Sequence, residues 1–322
     1  NGAYPSFHLS ALYSPLGWFS WADAVTEFIE AQGDVNKMKA FTNNVLGEPW
    51  SVDSGQQIDQ YGLKARCENY DAEVPEGVFI LTCGVDTQDD RLECEIVGWG
   101  AGLQSWGIHK KVFVGDPSQQ AVWDALDSWL MAYYPNAAGE HLYIAATLID
   151  SGGHHTQDVY KFTGPREGRN IFACVGKAGS GRPIVSRPKR TDKSRQQDAT
   201  VVNVGVDTAK DQLFNWLPQE DRTANGYCHF PISDEYDDEH FAQLTSEKRV
   251  TKWVRGSRVW SYKKIRDRNE ALDIRNYAYG ALRLSGVDVD KLAQAGMKFK
   301  INLAAPRPMR QHQRQVSRGV SL

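Results

Sequence analysis

Cysteines are few in this sequence and form no recognisable motif. The five, Cys67, Cys83, Cys94, Cys174 and Cys228, are odd in number and include no CxxC pair. This pattern excludes the usual zinc-ligand spacings and a disulfide framework. Three of them fall in apolar, strand-like runs. We therefore expect reduced thiols in a cytosolic protein, with no metal bound by cysteine.

Long hydrophobic runs are also missing. No apolar run approaches the roughly 18 residues that a membrane-spanning helix needs, and the first residues, NGAYPSFHLS, lack the basic start and apolar core of a signal peptide. No GxxxxGK[ST] phosphate-binding loop occurs. We therefore predict no membrane attachment and no ATP hydrolysis by this chain. Because it also begins without methionine, we expect a piece of a longer chain.

No excess of one charge marks the chain as a whole. The formal net charge of its 322 residues is −3 at pH 7, and 41% of the residues are hydrophobic, so the composition is that of a globular protein rather than a polycation. Basic residues are instead concentrated locally. Segment 176–197 carries seven Lys or Arg against one Asp, which would suit a duplex phosphate backbone. These candidate DNA-binding residues are Lys177, Arg182, Arg187, Lys189, Arg190, Lys193 and Arg195.

Residues 78–100 contain the clearest structural pattern. An apolar run ends in Asp86, a polar turn follows, and a second run alternates apolar and polar residues, which is typical of a β-hairpin with one buried face. Further strands are predicted at 105–114, 142–150, 170–176 and 201–207, and helices at 118–132, 155–163, 208–217 and 268–284. Three antiparallel strands followed by alternating helices and parallel strands predict an α/β fold, a ribonuclease H-like mixed sheet flanked by helices.

Three regions are expected along the chain. Residues 1–76 contain helices at about 21–32 and 35–44, and we interpret them as a helical connector or the end of a preceding ATPase region; the alternative is an extension packed on the main core. Residues 77–290 form the α/β domain and include a hairpin at 248–254 and 258–265. Residues 291–322 form a basic tail that cannot bury enough surface to fold alone.

Three aspartates are candidates for one site. Asp86 and Asp150 end apolar strands, and Asp273 lies within the last long helix. If the first and fourth strands are neighbours and that helix crosses the sheet, the three side chains meet at one edge. Three such carboxylates cannot all stay ionised without cations, and oxygen ligands select Mg²⁺ or Mn²⁺. Two such ions can drive phosphodiester hydrolysis. The competing interpretation of each residue is a turn or cap.

Other polar residues near these positions have competing interpretations. Glu93 and Glu95 are expected on a solvated face of the second strand, and Glu270 is an alternative ligand one turn from Asp273. The remaining residues are interpreted as parts of the hairpin turn or of a helix start: Asp89, Asp90, His154 and His155. For the two histidines, the alternative is contact with a scissile phosphate.

Five blocks of the sequence resemble one known family. They are SALYSPLGWFSWADAVTEF, FTNNVLGEPW, GVDTQDDRLECEIVGWG, LIDSGGHHTQDVYKF and RNEALDIRNYAYGAL. Together they are similar to the large terminase subunit of lambda-type tailed phages, from the end of its ATPase region through its nuclease domain. The segment near 177–200 and the tail after 296 lack an obvious match. The resemblance implies a nuclease that cuts concatemeric viral DNA, with metal-binding acids at Asp86, Asp150 and Asp273.

The resemblance also implies partners and a location. These are double-stranded DNA, a small terminase subunit, the portal of a procapsid, and an ATPase motor domain N-terminal to residue 1, all in the host cytoplasm. Two alternatives to a metal-dependent endonuclease stay open. One is a docking module for the packaging complex that is inactive as a nuclease on its own. The other is a different ribonuclease H-like enzyme, such as a resolvase or transposase, against which the SPLGWFSW block argues.

Overall fold

The computed structural model describes residues 9–48, 58–186, 198–254 and 257–300. Its α-helices are α1 (Trp21–Ala31), α2 (Val35–Phe41), α3 (Gln60–Ala65), α4 (Gln120–Leu130), α5 (Thr156–Thr163), α6 (Val206–Trp216), α7 (Asp238–Leu244), α8 (Glu270–Ser285) and α9 (Val289–Gln294). Its strands are β1 (Ile80–Thr87), β2 (Arg91–Trp99), β3 (Ser105–Val114), β4 (Tyr134–Pro135), β5 (His141–Leu142), β6 (Ile144–Asp150), β7 (Ile171–Lys177), β8 (Val185–Ser186), β9 (Val201–Gly205), β10 (Cys228–His229), β11 (Glu247–Val254) and β12 (Ser257–Lys264).

The main sheet has eight strands in the order β10-β3-β2-β1-β6-β7-β9-β8. Strand β1 pairs antiparallel with β2, and β2 pairs antiparallel with β3. The pairs β1–β6, β6–β7 and β7–β9 are parallel. This is the predicted ribonuclease H-like order, so the predicted mixed sheet is confirmed. Because β1 and β6 are parallel neighbours, their carboxyl ends lie at the same edge.

Helices cover both faces of this sheet. On one face, Cys83 and Val85 of β1 belong to a core that also contains Trp123 of α4 and Phe162 of α5. Helices α6, α7 and α8 pack on the opposite face, where Trp216, Phe241 and Tyr279 lie in a second core. Burial on both faces explains why the strands contain nearly continuous apolar runs.

Helix α8 crosses the sheet directly over Gly84. A Cβ atom at that position would lie 1.9 Å from the carbonyl oxygen of Ile274, so only glycine lets the helix backbone come this close. One turn further along, the Thr82 hydroxyl donates a hydrogen bond of 2.8 Å to the Ala278 carbonyl. The predicted crossing of the last long helix is confirmed, and it points the N-terminal turn of α8 towards the end of β1.

The same helix buries the face of β2 that carries Glu93 and Glu95. These residues are only 1% and 0% exposed, so the prediction that they are solvated is wrong. Glu93 pairs with Arg91 at 2.7 Å and with Arg268 at 2.8 Å. Glu95 pairs with Arg275 at 2.7 Å. The alternation of apolar and polar residues distinguishes the two faces of a strand, but it does not show what covers each face.

The N-terminal helices contact the sheet domain through α6. The Val35 amide donates to Gln212 Oε1 at 2.9 Å, and Gln212 Nε2 donates to the Gly33 carbonyl at 2.7 Å. Trp216 Nε1 donates to the same carbonyl at 2.6 Å. These bonds hold the start of α2 against α6. The two interpretations of residues 1–76, a connector and an extension packed on the core, stay predictions.

Helix α1 begins as predicted and buries little of its apolar surface. Ser20 is its N-cap and forms a reciprocal capping box with Asp23, which satisfies two free backbone donors. Val25, Phe28 and Ile29 are each at least 41% exposed. The apolar side of α1 is therefore accessible in this structure.

Residues after 290 are described only as far as 300. Helix α9 runs across the predicted boundary at 290/291. The Phe299 amide then donates to the Phe79 carbonyl at 2.7 Å, and Lys298 Nζ lies 2.7 Å from the Val78 carbonyl. Residues 301–322 lie outside the described part of the chain.

All five cysteines are free thiols, and four of them are buried. Among the described helices, none is both long enough and apolar enough to cross a membrane.

Candidate active site

The three predicted aspartates come from two adjacent strands and the helix that crosses them. Asp86 and Asp150 lie at the carboxyl ends of β1 and β6, where Val85 and Ile149 are register partners. Asp273 lies in the first turn of α8. The negative charges of Asp150 and Asp273 both raise the pKa of Asp86. The fold therefore brings the three carboxylates into one electrostatically coupled group.

Asp86 is the most strongly perturbed member of this group. Its side chain is almost fully buried, and burial is the largest cause that raises its pKa, to about 8. The charges of Asp150, Asp273 and Glu270 add to this effect, whereas a hydrogen bond of 2.5 Å from Gln88 Nε2 opposes it. Near neutral pH the Asp86 carboxyl is thus largely protonated unless a cation offsets the neighbouring charges.

Asp150 and Asp273 are each held by nearby donors. Burial raises the pKa of Asp150, although hydrogen bonds from the Gly152 amide, at 3.1 Å, and from Tyr277 oppose the shift. Burial also raises the pKa of Asp273, to about 6, against the positive charge of Lys210. Asp273 Oδ2 accepts a hydrogen bond of 2.7 Å from Asn269. These bonds fix the orientation of both carboxylates.

The donor set fits a hard divalent cation. Among the described residues, no group of three or more Asp, Glu, His or Cys side chains is arranged to hold a metal ion by itself. Mg²⁺, however, is usually bound through one or two carboxylates, with water and substrate phosphates completing its octahedron. Pairs drawn from Asp86, Asp150 and Asp273 supply that number of oxygen ligands. The buried, coupled carboxylates are chemically suited to such an ion.

Glu270, the alternative ligand, has two cationic partners. Its side chain is buried and lies 3.0 Å from Arg91 and 3.4 Å from Arg268. The same two arginines also contact Glu93, so the four residues form one network. Glu270 is close enough to raise the pKa of Asp86, but its own charge is already compensated.

Three residues beside Asp273 were not predicted, Lys210, Glu247 and Asn269. Lys210 of α6 lies with its Nζ 2.7 Å from Glu247 Oε1 and 3.7 Å from Asp273 Oδ1. Asn269 Nδ2 lies 3.2 Å from the same Glu247 oxygen. A lysine within a helix and a glutamate at a strand start are ordinarily solvated residues. No signal in the sequence distinguishes this pair from such residues.

The rim of the site is formed by two loops that contact each other. His154 Nδ1 and Asp89 Oδ1 are 2.9 Å apart, which ties the turn after Asp86 to the loop after Asp150. Asp89 and the adjacent Asp90 lie in the hairpin turn, as predicted. His155 directly precedes α5, so its interpretation as a helix start is confirmed.

The structure describes two of the seven predicted DNA-binding residues. Lys177 ends β7 and is exposed. Arg182 is also exposed, and its Nε donates to the Ala178 carbonyl at 2.7 Å. Asp207 of α6 anchors this segment by accepting a 2.8 Å hydrogen bond from the Gly179 amide. The other five lie in 187–197, outside the described ranges: Arg187, Lys189, Arg190, Lys193 and Arg195.

Comparison with known phage proteins supports the resemblance seen in the sequence. The chain is 34% identical over 286 residues to "Terminase, large subunit" of Escherichia phage lambda, and 31% identical over 287 residues to the protein of that name of Enterobacteria phage P21. Each match covers 87% of this chain and 44% of the relative. The chain therefore spans less than half the length of these curated relatives.

A structural comparison finds the crystal structure of the HK97 bacteriophage large terminase. The match covers 83% of this chain and 52% of that chain, at 13% identity and a TM-score of 0.35, which is too low to support an argument.

The family comparison covers most of the chain. The model of the family "Terminase large subunit gpA, endonuclease domain" matches residues 4–293, a range that contains the sheet, helix α8 and all three aspartates. The chain therefore belongs to the family of terminase large subunit gpA endonuclease domains.

Proposed function

We propose that this chain is a metal-dependent DNA endonuclease that cuts concatemeric viral DNA by two-metal phosphodiester hydrolysis during genome packaging. The observation that supports the proposal is the electrostatic coupling of Asp86, Asp150 and Asp273 where β1 and β6 end and α8 begins. In the described part of the chain, none of the three is paired with an arginine. Membership of the endonuclease-domain family supports DNA as the substrate.

The proposed cofactor is Mg²⁺ or Mn²⁺, held as two ions by Asp86, Asp150 and Asp273. When bound with the substrate phosphate, such ions supply an activated water and stabilise the leaving oxygen. The protein itself contributes three carboxylates that lie near one another and are oriented before ions and DNA bind. Gln88, the Gly152 amide and Asn269 each hold one of the carboxylates by a hydrogen bond, which reduces the reorganisation needed when ions and DNA bind.

The basic segment supplies a candidate path for the duplex. Lys177 and Arg182 are exposed, and segment 176–197 contains seven basic residues in all. Contacts from these side chains to phosphates would add salt-dependent affinity without sequence preference. The other proposed partners are the small terminase subunit, the portal of the procapsid and an ATPase motor domain N-terminal to this chain, acting in the host cytoplasm.

The test is nicking of supercoiled plasmid in Mg²⁺ or Mn²⁺. We expect the unmodified chain to nick, and Asp86→Asn, Asp150→Asn and Asp273→Asn each to lower the rate by at least about 100-fold, because metal-ion stabilisation of the transition state contributes several kcal/mol. The matched control is Asp234→Asn, the same change at an exposed aspartate, which should nick at the unmodified rate. Melting temperatures would confirm that every variant folds.

The outcomes separate the candidate functions. Activity that survives one substitution would remove that residue from the site and favour Glu270 in its place. No cleavage by the unmodified chain would contradict the nuclease proposal for the isolated chain. It would favour the second candidate, a docking module of the packaging complex, which the exposed apolar residues Val25, Phe28 and Ile29 of α1 support.

A further inference from the structure

Lys210 is a buried cation beside one of the three aspartates. Its side chain is 8% exposed, and its Nζ lies 2.7 Å from Glu247 Oε1. Asp273 Oδ1 is 3.7 Å from the same Nζ. Glu247 is more deeply buried still, with 4% of its side chain exposed. The Lys210 ammonium and the Glu247 carboxylate are therefore shielded from water, whereas the Asp273 side chain, 26% exposed, is still accessible.

Asn269 connects the two carboxylates. Its Nδ2 donates to Asp273 Oδ2 at 2.7 Å and lies 3.2 Å from Glu247 Oε1. Its Oδ1 accepts a hydrogen bond of 2.6 Å from Lys264 Nζ. Glu247, Asn269 and Asp273 thus form a continuous polar chain, so a change at Glu247 reaches Asp273 without any contact between the two carboxylates.

Helix α6, which carries the lysine, is itself anchored through two of its aspartates. Asp207, three residues before Lys210, accepts from the Gly179 amide at 2.8 Å. Asp211, the next residue, accepts from the Tyr262 hydroxyl of β12 at 2.7 Å. These two bonds anchor the helix next to Lys210, and the 2.7 Å contact with buried Glu247 holds the ammonium itself in place. The ammonium is therefore a fixed charge rather than a mobile surface one.

A fixed positive charge next to a carboxylate weakens its attraction for a divalent cation. In a buried environment such charge interactions are only partly screened. Asp273, Glu247 and Lys210 together carry a formal charge of −1 when all are ionised, compared with −2 without the lysine. Glu247 acts in the opposite sense, because it offsets the lysine and adds negative charge near Asp273.

We propose that Lys210 and Glu247 are a pair of positioning residues with opposing effects on the affinity of Asp273 for a divalent cation, the lysine lowering it and the glutamate raising it. This inference rests on the proposed function, since it assumes that Asp273 is a metal ligand. Neither residue needs to touch DNA or metal. The pair would keep one ion weakly held until substrate phosphate adds its own oxygens.

The test measures Mn²⁺ binding to the whole chain by isothermal titration calorimetry, without DNA. We expect Lys210→Gln to lower the Kd by about tenfold and Glu247→Gln to raise it by about tenfold, the size of effect that one partly screened charge near a divalent ion produces. The double variant should return to within about threefold of the unmodified chain, because its charge balance is restored.

Two controls separate charge from folding. Lys210→Arg keeps the charge and should bind Mn²⁺ as the unmodified chain does. Lys64→Gln breaks an ion pair of the same 2.7 Å length, between Lys64 and Asp238 on the surface, and should leave the Kd unchanged. If Lys210→Gln does not fold, the double variant replaces it, and it must bind Mn²⁺ about tenfold more tightly than Glu247→Gln alone.

Opposite shifts in the two single variants support the inference. Shifts in the same direction, or a Kd that Lys210→Gln leaves unchanged, would overturn it while leaving the nuclease proposal intact. Failure of the unmodified chain to bind Mn²⁺ and to nick plasmid would overturn both. A purely structural role would change only the melting temperature in EDTA.

Discussion

Two groups of acids lie on or beside helix α8 and differ in how their charge is balanced. The first group is matched by arginines: Glu93, Glu95 and Glu270 pair with Arg91, Arg268 and Arg275 at 2.7 to 3.4 Å. The second group is Asp86, Asp150 and Asp273, with no arginine partner in the described residues. Its members are held instead by amide and hydroxyl donors and, at Asp273, by Lys210 at 3.7 Å.

The comparison shows that burial of a carboxylate does not by itself indicate a functional site. Burial of an ionised group is tolerated when an opposite charge meets it directly, as Arg275 does for Glu95. Burial raises the pKa of Glu95 even so, although the charge of Arg275 opposes the shift. At Asp86 and Asp273, which have no arginine partner, the pKa rises to about 8 and about 6. The uncompensated group is the one to which an external cation can contribute most.

The largest expected effect comes from breaking the compensated group at Arg275. Arg275→Met leaves Glu95 buried without its partner and should lower the free energy of unfolding by about 3–5 kcal/mol. Urea denaturation measures this change. Arg283→Met, at an exposed position on the last turn of α8, is the matched control and should change stability little. Equal losses in the two variants would contradict the importance of the buried pair.

The second-largest expected effect comes from displacing helix α8, which contacts both groups of acids. Gly84→Ala places a methyl group where the Ile274 carbonyl lies, and this overpacking should cost about 1–3 kcal/mol or more. Because a displaced α8 carries Asp273 with it, plasmid nicking should fall together with stability. Gly168→Ala, at a position where an added Cβ would meet nothing within 4 Å, controls for the loss of a glycine. If Gly84→Ala is destabilised but nicks at the full rate, the position of α8 does not control the activity of the site.

The smallest expected effect is on the melting temperature of the metal-free protein, and it concerns Asp86 of the uncompensated group. Because the pKa of Asp86 is raised in the folded state, the unfolded chain releases this proton at lower pH, and the wild type loses stability as pH rises from about 4 to 8. In EDTA at pH 8, Asp86→Asn should therefore melt a few degrees higher than the wild type, by about 3 °C. The difference should shrink towards pH 4, and Mn²⁺ should stabilise only the wild type. A variant that melts lower at pH 8 would contradict the account.

Much of this architecture could be predicted from the sequence. The strand-terminal aspartates and the order of apolar runs predict the mixed sheet and the edge where Asp86 and Asp150 meet, because β1 and β6 need only be parallel neighbours. Asp273 required one further assumption, the crossing of α8, which Gly84 makes sterically feasible.

What could not be predicted depends on long-range packing. Glu93 and Glu95 alternate with apolar residues as solvated side chains do, yet α8 covers them. Lys210 and Glu247 are 37 residues apart in the chain and meet only because α6 and β11 pack beside the N-terminal end of α8. Such pairings carry no local signature.

The most direct test of the central claim is the binding of Mn²⁺ in solution without DNA, measured by loss of the free-ion electron paramagnetic resonance signal. Three chains are compared: the wild type, Asp86→Asn from the uncompensated group, and Glu93→Gln from the compensated one. The account predicts that the wild type and folded Glu93→Gln bind Mn²⁺ alike, whereas Asp86→Asn binds it at least about tenfold more weakly. Equal binding by Asp86→Asn and the wild type would contradict it.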